Sequence, residues 1–156
     1  MQYKCHEEWR ELRIVPIKND ASGVFVISGD QILFVKRAKI CPISKNKISY
    51  GGYWSFLCGS QEDGENSIDC AVREAYEEAS IKIEPSSLEY FSSISNTSGW
   101  DLHIHFATLD KVPKVKLNFE HEAYLWWNID FLDDFPYKKE EKLWAELKKY
   151  VEKLNK

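Results

Sequence analysis

The sequence predicts an α/β protein, a sandwich in which a mixed β-sheet lies between helices, and two observations lead there. Short runs of β-branched and aromatic residues bounded by Gly, Asn and Asp read as strands, and two stretches with helical patterning interrupt their succession. At 156 residues, with 44% hydrophobic content and no internal repeat, residues 1–156 suit a single domain able to enclose its own core.

The elements follow in order. Residues 21–28 and 31–36 are apolar strands joined by Gly29-Asp30, a hairpin signal. A polar loop over 38–52, with Pro42 and the pair Gly51-Gly52, is long for a connection, and length of that kind points to function. Residues 53–58 form a short strand, and 66–79, free of Gly and Pro and rich in Ala and Glu, form a helix entered through the turn Glu62-Asp63-Gly64. A second hairpin, 88–95 with 100–109, turns at Asn96-Thr97-Ser98-Gly99, and 123–129 is an aromatic strand. The chain closes with an amphipathic helix over 138–154, whose apolar stripe is Leu143, Trp144, Leu147, Tyr150, Val151 and Leu154.

Composition narrows the functional classes. A net charge of -4 argues against a general nucleic-acid binder, which needs a basic stripe to neutralise phosphates. The lysine clusters at 36–39 and 45–47 are local. Cys5, Cys41, Cys58 and Cys70 form no CxxC motif, so reduced thiols in a cytoplasmic protein are the simplest expectation. The first residues lack a signal-peptide apolar core, and no run approaches the ~20 apolar residues of a membrane span.

The segment 59–81, GSQEDGENSIDCAVREAYEEASI, carries the chemistry. On its helix Glu74, Glu77 and Glu78 stand at i, i+3 and i+4 and share a face, while Ile68, Ala71, Val72, Ala75 and Ala79 fall together on an inward side. Like charges at this spacing cost a few tenths of a kcal/mol per pair, roughly, and a divalent cation reverses that sign. Oxygen-only donors suit hard ions, so Mg²⁺, with Mn²⁺ as a substitute, is the cofactor expected rather than zinc. Arg73, one turn before Glu77, is placed to orient it. Three carboxylates alone leave a solvated acidic face as the alternative.

The whole run resembles the signature of the Nudix hydrolases: a glycine, a distant glutamate, then Arg-Glu and Glu-Glu pairs on a helix. Gly59, Glu65, Arg73, Glu74, Glu77 and Glu78 match its fixed positions, and Ser80 departs where the family usually has glycine. That departure falls on the helix end, where serine replaces a left-handed cap at roughly 1 kcal/mol. The resemblance implies the mixed-sheet sandwich and Mg²⁺-dependent hydrolysis of a phosphoanhydride in a nucleoside diphosphate linked to another moiety. Nucleoside triphosphates, dinucleoside polyphosphates, ADP-ribose and 5′-phosphorylated RNA all stay open.

It also implies roles for individual residues. Glu77 and Glu78 become direct metal ligands, Glu74 a ligand or the base, Glu65 a support through hydrogen bonds or water, and the Cys58 carbonyl a further ligand. Glu120 resembles an additional catalytic glutamate, with Glu122 and His121 as alternatives, and Arg37 resembles an arginine that reaches substrate phosphates. Tyr50, Tyr53, Trp54 and Trp100, in or beside loops of a chain that is 14% aromatic, are candidates to stack on a nucleobase. The partner expected is a small nucleotide, with no membrane and with a homodimer left open. Two rivals share the fold: a nucleotide sensor without catalysis, which should have lost these carboxylates, and an allylic diphosphate isomerase, which needs a Cys and a Glu in an apolar pocket.

Overall fold

Alternation along the first strand sets the layers. In a computed structural model, which describes residues 19–156, β1 (Ala21–Ser28) sends Phe25 and Ile27 to one face and Val24 and Val26 to the other. A strand apolar on both sides needs cover on both sides. It pairs in parallel with β6 (Asp101–Thr108), from Ala21 opposite Leu102 to Ile27 opposite Thr108. β6 pairs antiparallel with the edge strand β5 (Leu88–Ser95), and Gly99 at φ 88° closes their turn.

β2 (Gln31–Arg37) follows the hairpin at Gly29, where φ is 61°, and pairs antiparallel with β7 (His121–Asn128) over nearly its whole length. β1 and β2 stay paired only at Ile27–Ile32 and Ser28–Gln31. Beyond that they diverge, and the chain from Trp54 to Ser60 enters the gap. Its first piece, β3 (Trp54–Ser55), bonds to β2; its second, β4 (Leu57–Ser60), bonds to β1. The single strand expected over 53–58 is therefore two, broken at Phe56, because its hydrogen bonds pass from one partner to the other. The result is a mixed sheet of seven strands.

Helix α1 (Ser67–Ala79) covers one face through Ala71, Ala75 and Ala79, packed with Val24, Val26, Leu33 and Val35. Helix α2 (Glu141–Leu154) covers the other with Leu143, Trp144, Leu147, Tyr150 and Val151 against Phe25, Phe34 and Phe106. Leu154, expected in that stripe, is half exposed at the helix end. α2 also starts later than the expected residue 138. Lys138 and Lys139 lie alongside Trp54, whose N–H donates to the Lys138 carbonyl at 2.7 Å, and Glu140 caps the helix by accepting from the Leu143 N–H at 2.8 Å.

The long loop after β2 is ordered by its own small cluster, Cys41 and Ile48 with Ala38 and Phe119. Cys41 is disulfide-bonded, which corrects the expectation of reduced thiols for that residue; the absence of a CxxC motif says nothing about pairing across loops. Cys58 and Cys70 are in no disulfide, and Cys5 and the rest of the first 18 residues lie outside the described residues. Among the described residues no helix is long and apolar enough to cross a membrane.

Candidate active site

The site is built on α1 and the strand that lies over it. Gly64 at φ 79° turns the chain, the Asn66 side chain accepts from the Asp69 N–H at 2.8 Å, and the helix begins at Ser67. It ends at Ser80, in the left-handed region at φ 60° and ψ 28°, with the Ser80 N–H donating to the Tyr76 carbonyl.

Which side of α1 is buried differs from the helical-wheel expectation. Ile68 is exposed and Val72 only half-buried, whereas Cys70, Glu74 and Glu78 join the alanines inside. Glu74 is 2% exposed and Glu78 0%, so neither stands in an open groove. The physical reason is β4, which crosses that flank. Gly59 lies so close that a Cβ there would come within 2.2 Å of the Glu74 carboxylate, and the Cys58 N–H donates to Glu78 Oε1 at 3.0 Å. What favours glycine at 59 is this contact with the buried Glu74 carboxylate rather than its backbone angles.

Arg73 gathers the neighbouring carboxylates. Its Nε and Nη2 donate to the two oxygens of Glu65, both at 2.9 Å, and its Nη1 donates to Glu74 Oε1 and Glu77 Oε2, both at 3.1 Å. Nη2 also donates to the Ser60 carbonyl at 3.0 Å, which ties the cluster to the end of β4. Burial alone pushes Glu65 upward, yet the Arg73 bonds outweigh it and hold the carboxyl below the usual range. Burial pushes the Cys70 thiol up, and the Glu74 charge adds to it, so this residue is an inert filler.

Glu120 arrives from a different part of the chain. The Asn118 N–H donates to the Glu78 carbonyl at 3.0 Å, the Glu120 N–H donates to Asn118 Oδ1 at 2.9 Å, and the Ala38 N–H donates to the Glu120 carbonyl at 2.9 Å. This strap buries Glu120, which is 7% exposed, beside Glu78. Glu122 instead pairs with Lys36 at 3.4 Å near the surface. Burial, then the charges of Glu74 and Glu120, push Glu78 well above the usual carboxylate range, and among the described residues no N–H or O–H donor reaches its Oε2. Among the described residues no group of three or more His, Cys, Asp or Glu side chains is gathered tightly enough, as they stand, to enclose an ion. Their chemistry nevertheless fits a hard divalent cation: the donors are carboxylates, three are buried, and among the described residues the buried Glu78 Oε2 meets no hydrogen-bond donor.

Beside β4 opens a cavity of about 270 Å³. Arg37, Tyr50, Tyr53, Cys58 and Trp100, all singled out from the sequence, line it together. Tyr50 holds a left-handed φ of 56°, unusual for a bulky residue, and its ring meets that of Tyr53 edge-on at 5.1 Å. Arg37 Nε donates to the Ser49 carbonyl at 2.8 Å, and Lys138 Nζ sits 4.6 Å from the Tyr53 ring centre.

Sequence reasoning missed Gly23 and Glu140. A Cβ on Gly23 would lie 2.4 Å from the Cys58 Cβ, so this glycine admits β4 against β1. A glycine inside a β-branched run was the signal for such an approach. Glu140, on the cavity wall, had no local signal, because it reads as interior to the last helix.

Comparison with known proteins agrees with this architecture. Residues 18–154 match the NUDIX domain family. A NAD-capped RNA hydrolase, NudC, of Pseudomonas syringae pv. tomato is 29% identical over 133 residues, 83% of this chain and 43% of that protein. The chain thus spans less than half the length of the curated relatives it matches. Among solved structures, an Ap4A hydrolase of C. elegans superposes with a TM-score of 0.67 at 19% identity, covering 87% of this chain and 98% of that one. A bifunctional NMN adenylyltransferase/ADP ribose pyrophosphatase of Francisella tularensis, complexed with AMP and a manganese ion, gives 0.68 at 16% identity, covering 95% of this chain and 45% of that one.

Proposed function

The chain belongs to the NUDIX family, and from that premise we propose that it is a pyrophosphohydrolase: it cleaves a phosphoanhydride in a nucleoside diphosphate linked to another moiety, using Mg²⁺ or Mn²⁺. The observation that carries this reading is the convergence of Glu74, Glu78 and Glu120, three buried carboxylates that no purely structural role requires. In this reading Glu74, Glu77 and Glu78 hold the cation with the Cys58 carbonyl. Arg73 and Glu65 are positioning residues, since Arg73 grips Glu74 and Glu77 while Glu65 grips Arg73.

A bound divalent ion supplies neutralisation of phosphate charge and acidification of water. The chain's own residues do the rest. Arg37, at the cavity wall, meets a phosphate oxygen, and Tyr50, Tyr53 and Trp100 hold a nucleobase by stacking. Glu120 or Glu74 takes the proton of the attacking water. The water oxygen bonds to one phosphorus, the bridging P–O bond breaks, and its electron pair leaves with the departing phosphate. The names of the relatives keep dinucleotide-type substrates, ADP-ribose and capped RNA within the substrate class.

The test is incubation with Mg²⁺ and a panel of nucleoside diphosphate derivatives in ¹⁸O-labelled water. Label in a phosphate product is expected and identifies the phosphorus attacked. Binding without turnover on every member would overturn the enzyme reading in favour of a sensor.

A further inference from the structure

Five aromatic rings, Tyr50, Tyr53, Trp54, Phe56 and Trp100, line the cavity beside β4 and select a flat conjugated ligand. At about 270 Å³ it is small for a ligand site, enough for one ring system and adjoining atoms rather than a whole dinucleotide. Flatness alone does not separate one heterocycle from another. Polar groups on the wall do, and among them Glu140 is a carboxylate, which accepts hydrogen bonds and donates none when ionised.

Glu140 is fixed in place by what it does for the fold. Its Oε2 accepts from the Leu143 N–H at 2.8 Å, and the two residues before it run alongside Trp54 through the Trp54 N–H bond to Lys138. One oxygen is committed to the helix cap, and Oε1 makes no hydrogen bond among the described residues. A half-buried, pinned acceptor beside aromatic walls rewards a ring substituent that carries N–H and repels a carbonyl at the same position.

We infer that Glu140 reads the amino group of the heterocycle in this cavity, so that the chain prefers adenine- or cytosine-type nucleotides to their carbonyl counterparts. The inference rests on taking the cavity as the nucleotide subsite of the proposed hydrolase. It assigns a specificity-determining role to a residue outside the 59–81 segment, on the opposite helix. Lys142 and Arg37, on the same wall, are donors and suit phosphate or ring acceptors rather than an amino group.

Matched pairs test it, because adenosine and inosine, like cytidine and uridine, exchange an amino group for a carbonyl at one ring position. Binding of AMP against IMP and of CMP against UMP is measured by calorimetry without metal, and hydrolysis of the corresponding triphosphates is measured with Mg²⁺. The amino member of each pair is expected to bind roughly tenfold tighter, and to show a kcat/KM higher by a similar factor. Two variants separate reading from capping. Glu140→Gln offers both a donor and an acceptor and should erase the preference; Glu140→Ser retains a capping oxygen but withdraws the carboxylate, and should leave a folded, base-blind protein. Equal binding of both members by the unaltered protein overturns the inference, as does an equal loss for all four nucleotides in both variants. Discrimination in binding with no hydrolysis of any triphosphate or other diphosphate derivative removes the hydrolase reading and leaves base selection by Glu140 standing; hydrolysis without discrimination does the reverse.

Discussion

The face of the sheet under α2 and the face under α1 bury similar rows of strand residues yet meet their helices with different materials. Under α2 the contacts are large rings: Phe106 stacks on Tyr150 at 3.5 Å between ring centres, and Phe34 lies 4.7 Å from Trp144. Under α1 they are methyl groups of Ala71, Ala75 and Ala79, flanked by the buried Glu74 and Glu78. Alanine lets a helix approach a sheet closely, and that closeness sets the two carboxylates under β4. The difference separates two tasks: one face supplies burial, and the other spends stability on charge held out of water.

The largest effect should come from breaking the apolar side. Trp144→Ala is expected to lower unfolding free energy by about 3–5 kcal/mol, read by denaturant titration, with kcat little changed where the variant is still folded. Glu78→Gln should show the opposite pattern. Turnover falls by at least ~10²-fold if the residue holds the cation, whereas the metal-free melting temperature rises, because a buried like-charge contact is relieved. Near-normal turnover in that variant would sink the metal assignment. Ala75→Leu tests whether close approach matters: overpacking should cost about 1–3 kcal/mol and, by shifting Glu74 and Glu78 together, reduce activity more than that loss of stability explains.

The α1 face also holds His105, fully buried between Ser22 Oγ and the Gly23 carbonyl at Nδ1 and Ser67 Oγ at Nε2. Burial lowers its pKa, the Gly23 bond opposes that, and nearby His103 adds to it. A depressed folded pKa makes the stability contribution complete above about 6.5, the ordinary histidine value, and lost as pH falls through the folded value. The denaturation midpoint should therefore drop between pH 7.5 and 5.5, and His105→Asn should reduce that slope even if it lowers the plateau. The smallest effect concerns the helix end. Ser80→Gly relieves a left-handed serine, so a stabilisation of about 1 kcal/mol or less is expected, offset by losing the Ser80 Oγ bond to the Lys116 carbonyl at 3.3 Å.

Local patterns were legible where local forces decide. The helix expected over 66–79, which begins at Ser67 because Asn66 serves as its cap, the 88–95 strand and most of the α2 stripe follow from propensity, turn residues and periodicity. The split of residues 54–60 into two strands was not legible, because it depends on β1 and β2 diverging. Nor was the burial of Glu74 and Glu78 in place of Ile68, since a helical wheel does not contain the strand that crosses it.

By itself, then, the sequence determined the family, the mixed-sheet sandwich and the placing of Glu74, Glu77 and Glu78 on one helix, because all three are written in residue types at short spacings. Only the tertiary structure decided that Glu120 joins Glu78, that Gly59 and Gly23 let β4 close over the site, and that Glu140 belongs to the cavity. Those are contacts between residues distant along the chain, and their geometry comes from strand pairing and packing, which no local pattern encodes.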